Sequence, residues 1–292
     1  MQSNDSLIRI RNLVISLAIF AGLVLYASTY SEPVLRASFM PDESPSLLRR
    51  KSKPLIDYLE KRVGMKIEFR PVPDGDTLVE ALTGNKLDMV WLDGFNFIQA
   101  KTRSDDQVIP LVQRAEDEKT RSVFVTKQES ITKLEDLKGR TFAFGAESSA
   151  SGHLMPRSFL QAGYIHPDTD MKTVFSGSPE ATVVAVASGQ ADAGVLSNLS
   201  WEKLIEQGKV DPEVVHVFYV TPGYHDYNWT VRADMDVNLR IKLTDAFLAL
   251  DTNNGQDKEI LNLQRASRFI PTSAENYSVI EAAARSAGFL KE

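Results

Sequence analysis

The chain has 292 residues, of which 43% are hydrophobic and 25% charged, and its net charge is −6. That balance is ordinary for a globular core and argues against a nucleic-acid partner, which needs a basic field. The lack of cysteine excludes disulfides, thiolate metal sites, a cysteine nucleophile and a lipid-bearing cysteine. Four scattered histidines (His153, His166, His216, His225) show no metal-ligand spacing, so neither metal nor cofactor is expected.

Arg9 and Arg11 precede an apolar run from Leu13 to Ala27, followed by small and polar residues up to Pro33. This is the pattern of a secretory signal with a poorly defined cleavage site. Residues 1–29 are expected to be a signal peptide or an uncleaved N-terminal anchor, with the rest periplasmic or otherwise extracytoplasmic. Strands are predicted over 34–40, 66–72 and 87–92, with helices over 46–63 and 76–83 between them. This alternation implies a mainly parallel sheet covered by helices. Strands follow at 108–112 and 122–126. The pattern restarts with a strand at 141–144, a helix ending near Gly163, a strand at 172–175, a helix at 179–188, a strand at 193–197 and a helix at 200–206. After a strand at 214–220, a turn-rich aromatic stretch (221–228) leads into a strand at 229–232. Helices over 238–250, 257–266 and 274–287 complete the chain.

The restart is an internal repeat. ALTGNKLDMV (81–90) matches VASGQADAGV (186–195), each a helix end, a Gly stop, an Asp and a buried strand. Two α/β lobes follow: residues 30–126 with 227–292 as a discontinuous first lobe, and 127–226 as the second. Hinge crossings are expected near 126–129 and 221–226. Ligands in open α/β sheets lie beyond the C-terminal strand ends, and three such loops converge here: 91–94, 145–152 and 196–198.

The loop after the 141–144 strand is rich in hydroxyls and opens a helix. A helix start has unpaired N–H groups and partial positive charge, so strand, hydroxyl turn and helix start together suit an anion. Ser148, Ser149 and Ser151 with the N–H groups of Gly152 and His153 are the candidate cradle. Simple N-capping by one serine is the alternative. His153 either reaches the anion or sits exposed on the helix. Asp93 and Asp226 could accept a proton from a P–OH group, or merely form turns. Tyr227 and Trp91 could wall the cleft, and Ser197 and Asn198 are candidate donors from the second lobe. A hydrolase is disfavoured because Gly145-Ala146-Glu147-Ser148-Ser149 is not GxSxG, and no P-loop occurs.

The signal-like segment, the two-lobe pattern, GNKLDMVW and LKGRTFAFG…SSASGHLMP together resemble periplasmic solute-binding proteins of ABC importers. More narrowly they are similar to the phosphonate/phosphite-binding family, whose hallmark is a Ser-Thr-Ser-Gly turn at a helix start followed by Pro. ESSxSGxLMP (147–156) and DYxW (226–229) resemble the branch labelled selenate-binding. The resemblance implies a type II-like two-lobed fold, no catalysis, a monomer, and partnership with an ABC permease and ATPase. The implied ligand is a small oxyanion: phosphonate, phosphite, phosphate or selenate. A sensory ectodomain on a retained anchor is the alternative with the same fold. There are departures from the family pattern. Ala150 stands where the family has Thr, removing one hydroxyl. Leu92 and the Asp74-Gly75-Asp76 turn fall where phosphonate binders place aromatics, and Pro179 falls where a His is frequent. Asn198-Leu199 falls near an acidic residue that holds the amine of aminophosphonates.

Overall fold

Parallel strands need helical crossovers, and the first part of the chain supplies them. In the computed structural model, which describes residues 33–41 and 43–290, β1 (Val34–Phe39) leads through α1 (Pro45–Val63) to β2 (Lys66–Phe69). From there α2 (Gly75–Thr83) leads to β3 (Met89–Leu92), and α3 (Gly94–Arg103) to β4 (Val108–Arg114). The expected signal or anchor at 1–29 lies outside the described residues. Among those described, no helix is long and apolar enough to cross a membrane.

After β4 the chain enters a second sheet through β5 (Ser122–Thr126) and β6 (Thr141–Phe144). The serine loop follows, then α4 (Met155–Ala162), a short α5 (Pro167–Asp170), β7 (Lys172–Phe175), α6 (Pro179–Ser188), β8 (Ala193–Ser197), α7 (Asn198–Glu206) and β9 (His216–Val220). It then returns as β10 (Asn228–Arg232), followed by α8 (Val237–Leu248), α9 (Gly255–Gln264), β11 (Phe269–Pro271) and α10 (Ser278–Ser286). The sheet orders are β11-β4-β10-β3-β1-β2 and β7-β6-β8-β5-β9. β1 and β3 are parallel, as are β6 with β7 and β8, whereas β10, β11, β5 and β9 add antiparallel pairs. The sheets are therefore mixed. β10 inserts between β3 and β4, with Trp229 opposite Trp91, and so ties the end of the chain back into the first sheet.

Three expectations are corrected. The 122–126 strand, assigned from sequence to the first lobe, pairs with β8 (Phe124 opposite Val195) and β9 in the second sheet. The first crossing is thus 115–121 rather than 126–129, through a 3-10 turn at Ala115–Lys119. Helix α3 and strand β11 were absent from the expected elements.

The repeated Asp has a definite task. Asp88 Oδ2 accepts the Arg36 N–H at 2.8 Å while the Asp88 N–H donates to the Arg36 carbonyl. Asp192 does the same with Thr141 in the second sheet. Each aspartate therefore pins the start of its strand to the neighbouring strand and sets register where the ladder begins. Arg36 and Arg232 neutralise Asp88. The cores flank both sheets. One apolar cluster, built on Leu78, Leu82, Phe95, Phe97, Tyr277 and Ile280, continues into Ala150, Leu154 and Met155 of the second lobe.

Candidate functional site

The serine loop is built by close backbone return. The Gly145 N–H donates to the Gly152 carbonyl, and a Cβ on Gly152 would lie 3.2 Å from Gly145 Cα and 3.1 Å from Ser149 Oγ. A side chain there would press on the Gly145 backbone and the Ser149 hydroxyl, so glycine lets the turn fold back without displacing them. Ala150–Leu154 form a π turn continuous with α4. Ser149 is its N-cap, with Oγ accepting from Gly152 N–H at 3.0 Å. Capping does not exhaust Ser149, because a hydroxyl that accepts still has its own proton to donate.

The donors differ from those expected. Gly152 N–H is spent on Ser149 Oγ, and His153 N–H on the Ser149 carbonyl. The amide that faces the other lobe is Ala150 N–H, which donates to Asp93 Oδ2 at 3.1 Å. Ser148 also faces that lobe, through its carbonyl, which accepts from Asn96 Nδ2 at 3.0 Å. Ser151 is buried, and its carbonyl accepts from Ser122 Oγ at 2.8 Å. That bond uses the single Ser122 hydroxyl proton, so Tyr224 must donate to Ser122 across their 2.7 Å contact.

His153 is not exposed on the helix, and both of its ring nitrogens are engaged within the protein. It is 2% exposed and packs against Phe144, Phe175 and Phe289. Its Nδ1 lies 2.8 Å from the Glu147 carbonyl, which can only accept, and Arg157 Nε donates to its Nε2 at 3.0 Å. The ring is therefore the neutral Nδ1–H tautomer. Burial, together with the Arg157 charge, pushes its pKa down.

The first lobe supplies carboxylates. Asp93 follows β3 and caps α3, its Oδ1 accepting from Asn96 N–H at 2.8 Å. Asp226 precedes β10 and is 1% exposed, with Oδ1 accepting from Gly94 N–H at 3.1 Å. Burial, with Asp93 and Asp117 close by, raises the Asp226 pKa well above the usual carboxylate range. Asp117 is buried too, and Arg114 grips it with two bonds of 2.5 and 2.7 Å. The guanidinium also lies over the rings of Trp91 (5.2 Å) and Tyr227 (5.8 Å), which stack 5.5 Å apart. Tyr227 thus belongs to a wall clamped by Arg114. Leu92, by contrast, is fully buried in the core.

Ser197 and Asn198 make local bonds within the second lobe and to the first crossing. Ser197 caps α7, and Asn198 Oδ1 accepts from Arg121 N–H on the first crossing. At the rim, Glu43 bridges Lys51 of its own lobe and Lys203 of the other. A cavity of about 300 Å³ beside Arg114, lined by Glu116, Leu199, Glu202, Glu206 and Arg265, includes none of the serine-loop residues. Asn96, Arg114, Asp117, Ser122 and Tyr224 were not anticipated. For Asn96 a signal existed, since it stands three residues after an Asp that follows a buried strand, the spacing of a helix cap and its N3 position.

Two mixed sheets joined by two crossings, with a hydroxyl-lined helix start from one meeting buried carboxylates from the other, define a two-lobed periplasmic substrate-binding protein. The chain belongs to the family of ABC transporter phosphonate periplasmic substrate-binding proteins, whose family model matches residues 37–277. It is 31% identical over 272 residues to the "Probable ABC transporter phosphite binding protein PhnD1" of Prochlorococcus marinus strain MIT 9301, covering 88% of this chain and 91% of that protein. The solved structure of PhnD1 in complex with methylphosphonate superposes with a TM-score of 0.80, covering 87% of this chain and 98% of that one. The phosphonates-binding periplasmic protein of Escherichia coli K12 is 24% identical over 223 residues, covering 74% and 66% of the two chains.

Proposed function

We propose that this chain captures a small monoprotonated phosphorus oxyanion, phosphite or a short alkyl phosphonate, between its lobes and delivers it to an ABC permease outside the cytoplasm. The observation that carries this is the Asp93 carboxylate lying 3.1 Å from the Ala150 N–H of the serine loop. An oxyanion at that junction meets hydroxyl donors on one side, from Ser149 and Ser151, and a carboxylate acceptor on the other, Asp93. P–O⁻ suits the donors and P–OH suits the acceptor. Sulfate and selenate, fully ionised, have no proton to give and meet only repulsion from the carboxylate. PhnD1, described as a "Probable ABC transporter phosphite binding protein" and solved with methylphosphonate, supports the same class. An amine-bearing phosphonate is not supported, because Asn198 is committed to Arg121 and offers no charge.

Capture works by lobe closure: the ligand bridges donors and acceptors from both lobes and shifts the population toward the closed form by its differential affinity. Titration calorimetry of the chain from Val34 onward against phosphite, methylphosphonate, 2-aminoethylphosphonate, phosphate, sulfate and selenate, each at two pH values, tests this. Tightest binding is expected for phosphite or methylphosphonate where the anion keeps a proton. Preference for sulfate or selenate would overturn the carboxylate role, and silence with all six would overturn the ligand class.

A further inference from the structure

Asn96 is wholly buried, yet it carries a primary amide among the apolar residues of the first turn of α3. Its Nδ2 donates to Asp93 Oδ1 at 2.8 Å and to the Ser148 carbonyl at 3.0 Å. The first partner is on its own lobe, the second on the serine loop of the other. Both partners face the amide as acceptors, so its orientation is set by chemistry. A flipped group would put its oxygen against an aspartate oxygen and a peptide carbonyl. The other end of the amide is left poor. Among the described residues Oδ1 is buried without a hydrogen-bond partner, beside Gly75, whose added Cβ would sit 2.8 Å from it. An orphaned buried acceptor is destabilising, and leucine of similar volume would avoid it. The residue at this position therefore answers to a requirement other than stability.

We infer that Asn96 is the positioning residue that couples lobe contact to the anion site. Asp93 Oδ1 receives two donors from Asn96, the main-chain N–H and Nδ2, both at 2.8 Å. Together they fix the rotation of the carboxylate and turn Oδ2 toward the Ala150 N–H at 3.1 Å. The same amide group holds the Ser148 carbonyl, and so holds the loop that carries the hydroxyl donors. The bond to Ser148 forms when the lobes meet and is lost when they part. It acts on the lifetime of the closed form rather than on encounter with ligand, and its signature is in the dissociation rate. The inference rests on the proposed oxyanion function for what the coupled site holds; the bridge itself is independent of it.

The chain contains no cysteine, so exposed Thr169 on the second lobe and exposed Asn238 on the first can be changed to Cys and labelled as a fluorescence-transfer pair. Asn96→Leu removes the bridge and the orphan acceptor together, while the main-chain cap to Asp93 stays. In stopped-flow mixing with phosphite and with methylphosphonate, this variant is expected to release ligand about tenfold faster, with association unchanged within about twofold. The closed fraction of the ligand-free protein should fall. Asn96→Ala should show the same kinetic split with a lower melting temperature. An unchanged dissociation rate, or rates that simply track the melting temperature, would overturn the coupling role. If the wild type responds to neither anion, the ligand assignment fails. The ligand-free closed fraction then still decides the bridge: equal values in wild type and Asn96→Leu would sink it.

Discussion

Asp93→Asn is the substitution that separates a recognising carboxylate from a structural one. Asp93 caps α3 through Asn96 N–H, and Asn is as good an N-cap as Asp, so the fold should melt within about 2 °C of wild type. What changes is the group beside the Ala150 amide. An amide has one oxygen where the carboxylate has two. It must turn its NH₂ either toward Ala150 N–H and the ligand or toward the Asn96 donors. Capping keeps the oxygen on the Asn96 donors, so the NH₂ faces Ala150 N–H and the ligand, where a donor now meets a donor. A hydrogen bond to a charged partner contributes about 1.5–3 kcal/mol, so phosphite affinity should fall roughly 10- to 150-fold. Sulfate, which the carboxylate repels, should bind as well as before or better, and the phosphite-to-sulfate ratio should collapse from both sides. Calorimetric titration of both anions into both proteins, alongside thermal melts, measures all of this. Phosphite affinity within about threefold of wild type, with the ratio unchanged, would refute the reasoning.

The two serines should separate from each other. Ser149→Ala loses a cap as well as a donor, so it should lower stability by about 1 kcal/mol and weaken oxyanion binding. Ser151→Ala should weaken binding with little change in melting. The double variant should bind at least about tenfold more weakly, and unchanged affinity would remove the serine loop from the site. Asp226 predicts a pH dependence of stability. Its pKa in the folded protein is raised by burial and by Asp93 and Asp117, above the unfolded value of about 3.9. Between those two values the folded form holds the extra proton, so stability falls as pH rises through the raised pKa. Asp226→Asn should therefore lose less stability than wild type between pH 5 and 8 in thermal melts. Parallel profiles would show that Asp226 is not the group responsible.

Much of this fold can be read from apolar runs closed by glycine, and the repeated Asp before β3 and β8 marks equivalent points in two sheets. What could not be read is where contacts between distant elements decide the outcome. The run at Ser122–Thr126 is apolar at its three central residues and buried on both faces, so nothing in it says which sheet it joins. Helix α3 buries Phe95, Asn96, Phe97, Ile98 and Ala100, a short and nearly unbroken run that periodicity alone does not separate from a buried strand. β11 is only three residues long. Within the site, Ser149, Asp93 and Asp226 carry chemistry visible in one dimension. The neutral state of His153 does not, since it depends on Phe144, Phe175, Phe289 and Arg157 arriving from separate segments. Nor does the Arg114 clamp on Asp117, Trp91 and Tyr227, which required β4 and β10 to lie side by side.

The apolar cluster that runs from Phe95 and Ile280 into Ala150, Leu154 and Met155 gives the closing motion a calorimetric character. In the proposed closure, hydrocarbon leaves water along with the ligand as the lobes come together, and that transfer lowers heat capacity. The enthalpy of binding should therefore become more favourable with rising temperature, by more than the burial of a few-atom anion alone can supply. The slope of that change measures how much protein surface moves out of solvent when the ligand is taken up.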